Sequence, residues 1–563
     1  MIFSTNHTRT LVSSILFILF WFISCFYFEG VAQLNSQKKQ FTRADTLRGS
    51  LNANRTWWNV LRYDLDVRPD YVSKSITGRN TIKFSGSGGS TMQIDLQQPL
   101  TIDSVIFGNK HLSFKHDGNV CLVYFDGVKQ QSVNFISIYY HGKPVEAKRP
   151  PWDGGWIWTK DAKGRPWMSV ACQGLGASVW YPCKDHQSDE PDEGASLTIQ
   201  VPDTLMAVAN GRLESKTDLG KSSIYRWEVR NPINSYNLVP YIGFYTSFGE
   251  VYSSEEGNLS CTYWVLDYNV EKAKEQFKQV KPMLACFEHW FGPYPWYEDG
   301  YQLVESPHLG MEHQSAVAYG NGFINGYRGR DMSGSGWGNK WDFIIIHESG
   351  HEWFGNSITT NDIADMWVHE GFTNYSETLF TECQYGKKAG EEYLQGIRRG
   401  IRNDRPIIGP YGVNEEGSGD MYPKGANLLH TIRTIINNDS LFRQILLGLN
   451  QSFFRKTTTS SEVEQYLSAK AGYNFSRIFD QYLRTIQVPV VEWKISNGNL
   501  QARLANCLPD LTMPVWLPTA AGNGKWVPLS TNNWQKVSCT LSETIAENEF
   551  NRNLYVDYKV VTP

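Results

Sequence analysis

Cysteine is scarce in this chain, with 9 among 563 residues. The nine stand at 25, 121, 172, 183, 261, 286, 383, 507 and 539, too widely spaced for a zinc-finger pattern. Charge is not concentrated either: 53 Lys and Arg face 57 Asp and Glu, for a net charge of −4. No basic block marks a nucleic-acid surface, and no acidic run marks an interaction tail. There is no internal repeat and no low-complexity segment, which excludes a solenoid or a linker-rich protein. Only one apolar run approaches membrane-spanning length, Leu11 to Phe28.

That run follows a short start bearing Arg9 and precedes the small residues Gly30-Val31-Ala32. Residues 1–32 therefore read as an export signal, with the same 18 residues serving as an anchor if the leader is retained. Cys25 follows Phe22-Ile23-Ser24, a poor lipidation context. Export leaves eight cysteines, an even number compatible with disulfides, and Cys507 with Cys539 is the expected pair.

The length predicts more than one core. From Tyr63 to Phe248, short alternating runs such as Tyr63-Asp64-Leu65-Asp66-Val67 predict a β-rich domain, residues 33–251. Helical periods from Val270 to Phe291 and from Lys424 to Asn438 predict a mainly α domain, 252–487. Alternation returns at Val490 to Ile495 and Leu554 to Val561, predicting a small β-sandwich, 488–563. Gly320 to Lys340 is glycine-dense and reads as a mobile loop or a plain connector.

What the chain does contain is His347-Glu348-Ser349-Gly350-His351, preceded by Trp341 to Ile346 without a helix breaker. Residues four apart share one helical face, so His347 and His351 can present both imidazoles to one metal ion. Glu348 lies about 100° round the helix, off that face and within reach of a metal-bound water. Glu370 follows the second histidine by nineteen positions and can complete a two-His, one-carboxylate set for zinc. Glu377 lies two turns further along and can accept a hydrogen bond from the outer nitrogen of a ligand histidine. A zinc ion lowers the pKa of bound water to about 7, so the pattern points to hydrolysis.

These residues resemble the metal motif of the gluzincin aminopeptidases, the family of alanyl aminopeptidase and leukotriene hydrolase, as does Trp353-Phe354-Gly355-Asn356 after them. Three further segments agree in order: Gly310-Met311-Glu312-His313, Tyr422-Pro423-Lys424-Gly425-Ala426, and Gln173 followed by Pro182-Cys183-Lys184-Asp185. The resemblance, over roughly 45–485, implies a multidomain α+β protein. It would have an N-terminal β-rich saddle domain, a thermolysin-like catalytic domain and the C-terminal β-sandwich. It implies one zinc per chain on His347, His351 and Glu370, with Glu348 as general base and Tyr422 as oxyanion donor. Peptides with a free amino terminus would be bound by Glu312, with the Gln173 amide oxygen as neutral partner, alongside Gly310, Met311 and His313.

The chain departs from the family at three points. His313 replaces an asparagine, His369 precedes Glu370 where asparagine is frequent, and Leu309 occupies a position often held by glycine. Both histidines keep a hydrogen-bond donor, so adjusted substrate contacts are expected, and Leu309 is expected to reshape the pocket for the first side chain. The sequence also leaves room for an endopeptidase, an epoxide-opening hydrolase, or a silent scaffold. Longer relatives carry a further helical domain, and without one the cleft would be more open.

Overall fold

The computed structural model describes residues 40–126, 128, 132–496, 498–520, 523–538 and 550–561. The chain divides into two units, residues 1–45 and 46–563. Of the first, only 40–45 are described, and they open a short helix, Arg43–Gly49. The expected leader, Cys25 and Cys539 lie outside the described residues. Among those described, no helix is long and apolar enough to cross a membrane.

The second unit begins with β-rich structure. An eight-stranded sheet is built around the antiparallel pair β1 (Trp58–Asp70) and β2 (Ser75–Gly86). Beside β2 runs β3 (Ser132–Gly142), and β4 (Ala195–Pro202) pairs in parallel with β1. Along β1 the inward positions Tyr63, Leu65 and Val67 are buried, the period-2 pattern that one packed face requires.

A five-stranded sheet follows, in the order β5 (Tyr245–Ser254), β6 (Gly257–Leu266), β7 (Tyr301–Glu305), β9 (Val317–Tyr319), β8 (Gly310–Met311). β8 is thus an edge strand, paired only with β9 through Gly310 with Tyr319 and Met311 with Ala318. The expected domain boundary at 251/252 falls inside β5, because β5 and β6 form one hairpin and β6 continues in parallel into β7. Met311, Ala316 and Ala318 pack into the apolar core of the N-terminal β domain. Leu309, Val317 and Tyr319 pack into the core shared by the helices and the C-terminal strands. The strand pair β8–β9 therefore sits at the seam between two cores.

The helices relevant to the site are α1 (Val280–Phe291), α2 (Phe343–Gly350), α3 (Trp367–Tyr385), α4 (Lys387–Ile397) and α5 (Pro423–Ile436). Asp342 caps α2, its Oδ1 accepting from Ile344 N at 3.0 Å and Ile345 N at 3.4 Å. A Cβ on Gly350 would lie 2.6 Å from Ser376 Oγ, so the motif glycine lets α2 approach α3. α3 meets α5 closely as well: a Cβ on Gly425 would lie 2.8 Å from the Gly371 Cα. That contact brings the start of α5, and Tyr422 before it, beside Glu370.

A disulfide joins Cys286 of α1 to Cys383 of α3 across 97 residues. Spacing alone could not indicate this pair, because the two helices come together only in the folded core. Cys507 is half-buried, and the expected pairing to Cys539 falls outside the described residues. The 320–340 loop is tied down rather than loose. Asn321 Nδ2 donates to Ile324 O, Gly326 O and Asp342 Oδ1, and Trp337 Nε1 donates to Glu392. The C-terminal region returns to strands, with β10 (Val490–Ser496) and β11 (Asn499–Ala505) antiparallel in a four-stranded sheet near a two-stranded one.

Candidate active site

A cleft of about 850 Å³ runs between the edge strand β8 and the helices, lined among others by Gln173, Gly310, Met311, Glu312, His347, Glu348, His351, Glu370, Glu377 and Tyr422. His347 occupies the last turn of α2, and His351 follows as its C-cap with helical backbone, φ −64° and ψ −19°. Glu370 lies in the first turn of α3. Its Oε2 stands 3.6 Å from His347 Nε2 and 3.3 Å from His351 Nε2.

The donor set suits zinc. Each imidazole is anchored through its outer nitrogen: His347 Nδ1 to Glu377 Oε1 at 2.7 Å, and His351 Nδ1 to the Phe354 carbonyl at 2.9 Å. Both therefore carry hydrogen on Nδ1 and turn the Nε2 lone pairs toward Glu370. Glu370 Oε2 is buried and accepts no hydrogen bond among the described residues, an arrangement a cation would satisfy. His347, Glu348 and His351 also have ligand atoms mutually within 4.8 Å. Glu370 is the better third ligand, because its orphaned oxygen is the one both imidazoles face.

Glu377 is fully buried and accepts from Asn374 Nδ2 at 2.8 Å and Tyr393 hydroxyl at 2.5 Å as well as from His347. Glu348 faces the cleft, and burial pushes its carboxyl up to about 7. A Cβ on Gly310 would lie 2.7 Å from Glu348 Oε1, so glycine is needed where the strand passes the carboxylate. The Tyr422 ring stacks on His347 with centroids 5.9 Å apart at 24°. Burial first, then the charges of Glu370, Glu416 and Glu312, raise its hydroxyl well above the usual tyrosine range, so it stays a proton donor.

Glu312 is 3% exposed, and its Oε1 accepts from Gln173 Nε2 at 2.5 Å and Tyr236 hydroxyl at 3.0 Å. Gln173 approaches Glu312 through its amide nitrogen, which leaves its amide oxygen available as the expected neutral partner for a substrate amine. The Glu312 carbonyl accepts from Asn356 Nδ2 at 2.8 Å. His313 does not line the cleft: it is fully buried, and its Nδ1 pairs at 2.5 Å with a Tyr241 hydroxyl that itself donates to Ala316 O. In place of the expected substrate contact, His313, which lies beyond the end of β8 at Met311, is bonded to Tyr241. His369 is also structural, its Nε2 accepting from Thr360 N at 2.8 Å.

Two contributors carry no sequence signal of their own. Tyr236 is one tyrosine among 29, on a short turn far from the motifs. Glu352, next to His351, would read as an ordinary helix carboxylate. It is fully buried and accepts from Tyr294 hydroxyl at 3.2 Å, Trp296 Nε1 at 2.8 Å, Ser315 N at 2.9 Å and Asn356 Nδ2 at 3.1 Å. It joins the metal helix to the segment that carries Glu312.

Fold and site together define a zinc metallopeptidase. Residues 275–482 match the Peptidase family M1 domain. It is 24% identical over 442 residues to leukotriene A-4 hydrolase of Xenopus laevis, covering 73% of this chain and 68% of that one. It is 24% identical over 383 residues to aminopeptidase N of Canis lupus familiaris, covering 62% of this chain and 38% of the relative. The match thus spans well under half of that aminopeptidase. The crystal structure of an M1 zinc metallopeptidase from Deinococcus radiodurans shares the fold with a TM-score of 0.63 at 19% identity, over 77% of this chain and 96% of that one. The same enzyme has also been crystallised as a mutant bound to a Tyr-Ser-Ala substrate.

Proposed function

We propose that this protein is an aminopeptidase with one zinc per chain that removes the first residue from peptides bearing a free amino terminus. The observation that carries the reading is Glu312. It is a buried carboxylate at the cleft edge, within the same lining as the metal-type trio, and it is steadied by two neutral donors on one oxygen. An ammonium group is the natural partner for the rest of its accepting capacity. Fixing the amine there fixes which peptide bond reaches Glu348. The Tyr-Ser-Ala complex of the Deinococcus enzyme supports peptides as the substrate class.

Zinc, when bound by His347, His351 and Glu370, supplies Lewis acidity and a more acidic water. Glu348 takes the proton from the attacking water and returns it to the departing amine. Tyr422 donates its hydroxyl hydrogen to the oxyanion that forms at the scissile carbonyl. Glu377 keeps His347 in the tautomer and orientation that ligation requires, as the Phe354 carbonyl does for His351. Glu312 contributes position rather than proton transfer. Export is proposed with this activity, supported by the leader-like start and by a disulfide suited to an oxidising compartment.

The test is hydrolysis of aminoacyl anilides against their N-acetyl analogues, with metal content measured alongside. Release from the free amines only is expected, with Glu348→Ala inactive yet metal-loaded. Equal turnover of the acetylated series would refute the exopeptidase reading. Protein that neither holds nor regains zinc would favour a silent scaffold.

A further inference from the structure

Gln173 reaches Glu312 from a tight turn. Leu175 N donates to Gln173 O at 2.8 Å, Gly176 N donates to Cys172 O at 2.6 Å, and Gly174 between them has a φ of 70°. The Gly174 carbonyl accepts two side-chain donors, Arg48 Nη2 at 2.6 Å and Asn414 Nδ2 at 3.0 Å, from 126 and 240 positions away. One oxygen beside Gln173 is thus clamped between the start of the β domain and the segment that leads to Tyr422.

The two donors stand in different places. Asn414 lines the active-site cleft. Arg48 does not: it borders a separate cavity of about 50 Å³, together with Asp185, His186 and Asn234. Gln173 and Gly174 line both spaces and form part of the wall between them. A cavity of that size admits water but not an amino acid, so Arg48 meets no substrate there. Whatever it contributes to the reaction passes through the turn.

Arg48 also has a fixed footing. Its carbonyl accepts from Arg55 Nη1 at 2.7 Å, and the Leu47 carbonyl accepts from Gln93 Nε2 at 3.1 Å. Arg55 is fully buried and pairs with Asp95 at 2.5 Å. Gly49 presses on the residue before Asn414, since an added Cβ would lie 2.3 Å from the Val413 carbonyl carbon. With Gln173 Nε2 committed to Glu312, its amide oxygen is left for the incoming amine. A shift of the turn would move that oxygen and withdraw a donor from Glu312 at the same time.

We infer that Arg48 is a positioning residue for the substrate amine: its bond to the Gly174 carbonyl holds the Gln173 amide where it both steadies Glu312 and meets the amine. Resting on the aminopeptidase reading, this adds a control on amine recognition from outside the cleft. A hydrogen bond from a charged donor corresponds to roughly ten- to a hundredfold in binding when fully expressed. Acting through Gln173, and sharing its acceptor with Asn414, Arg48 should contribute about tenfold.

The experiment uses the full chain, zinc-loaded, with alanine anilide as substrate and two inhibitors: alaninol, an amine without a scissile bond, and acetohydroxamate, a metal ligand without an amine. Arg48→Met keeps the aliphatic stem and removes the donors, Arg48→Gln falls short of the carbonyl, and Arg48→Lys keeps a charged donor. In the Met and Gln variants, KM and the alaninol Ki should both rise about tenfold, with kcat within about threefold of wild type and the acetohydroxamate Ki unchanged. Arg48→Lys should recover part of the loss. If one of the first two variants does not fold, the other is read. An alaninol Ki unchanged from wild type, both inhibitors weakened alike, or Arg48→Lys no tighter for alaninol than Arg48→Met would overturn the inference and leave the aminopeptidase reading intact. Wild-type enzyme that takes acetyl-alanine anilide as readily as the free amine would overturn both.

Discussion

Replacing Glu352 tests whether the segment bearing Glu312 is held from the metal helix. Its four donors are not equally dependent on it. Tyr294 also donates to Gly300 O at 3.1 Å, and Asn356 also donates to Glu312 O at 2.8 Å, so each keeps a partner when the carboxylate is removed. Trp296 Nε1 and Ser315 N have no second acceptor in the described structure. Glu352→Ala therefore strands two buried donors at about 1–3 kcal/mol each, roughly 2–6 kcal/mol in all. In Glu352→Gln one amide oxygen still serves Trp296 and Asn356. The amide nitrogen can donate to the Tyr294 oxygen, but it confronts the Ser315 N–H. One stranded donor remains, about 1–3 kcal/mol.

The assay is urea unfolding of the zinc-loaded protein together with kcat/KM on free-amine and acetylated anilides. Stability should fall in the order wild type, Gln, Ala. As Ser315 loosens, Glu312 should lose its grip on the amine, so KM should rise before kcat falls and the free-amine preference should shrink. A purely structural role would lower the amount of folded enzyme without moving that preference. Glu352→Gln indistinguishable from wild type in both measurements would refute the reasoning, as would Glu352→Ala matching Glu352→Gln.

Four further outcomes follow from the geometry. Tyr422→Phe should lower kcat by about 10²–10³ with zinc retained, read by steady-state kinetics and metal analysis. Gly425→Ala would place a Cβ 2.8 Å from the Gly371 backbone and push α5 from α3. About 1–3 kcal/mol of stability should be lost on denaturation, with kcat falling as Tyr422 shifts. Cys286→Ala with Cys383→Ala should lower stability by about 2–4 kcal/mol, against about 4.7 for an ideal 100-residue loop, and dithiothreitol should affect the wild type alone. Burial raises Asp342 from 3.8 to about 6, so the folded protein binds the extra proton between those values. Its contribution is therefore greatest below pH 4 and lost as pH rises through 6, by roughly 3 kcal/mol. Wild type minus Asp342→Asn should show that fall in pH-dependent unfolding, and a difference that grows with pH would contradict it.

Parts of the site that lie within one helix, or on two short helical stretches, are legible in the sequence. His347 and His351 share a face because of the 3.6-residue repeat, and Glu377 lies two turns beyond Glu370 for the same reason. Their roles need only local geometry plus one helix–helix contact, whose closeness is itself written as Gly350 opposite Ser376. His313 shows the reverse. Its position beside Glu312 suggested the cleft, but its ring is turned into the core against Tyr241. The expected boundary at 251/252 falls inside β5, since a hairpin strand looks the same in sequence whichever sheet it joins.

What stayed hidden was set by contacts between distant segments. Glu312 is held by Gln173, Tyr236 and Asn356, which lie 139, 76 and 44 positions away. Tyr236 has no local pattern that announces the contact, and Gln173 is placed beside Glu312 only by the family resemblance of its segment. The core of the β domain reaches under β8 through Met311, so the strand that presents Glu312 rests on both domains at once. A carboxylate that sets where a peptide begins must not drift relative to the base that cuts it. Seating its strand at the seam, and tying the adjoining segment to the metal helix through Glu352, links the position of Glu312 to that of Glu348. Substitutions that loosen this seam should therefore blur the choice of peptide bond before they abolish hydrolysis.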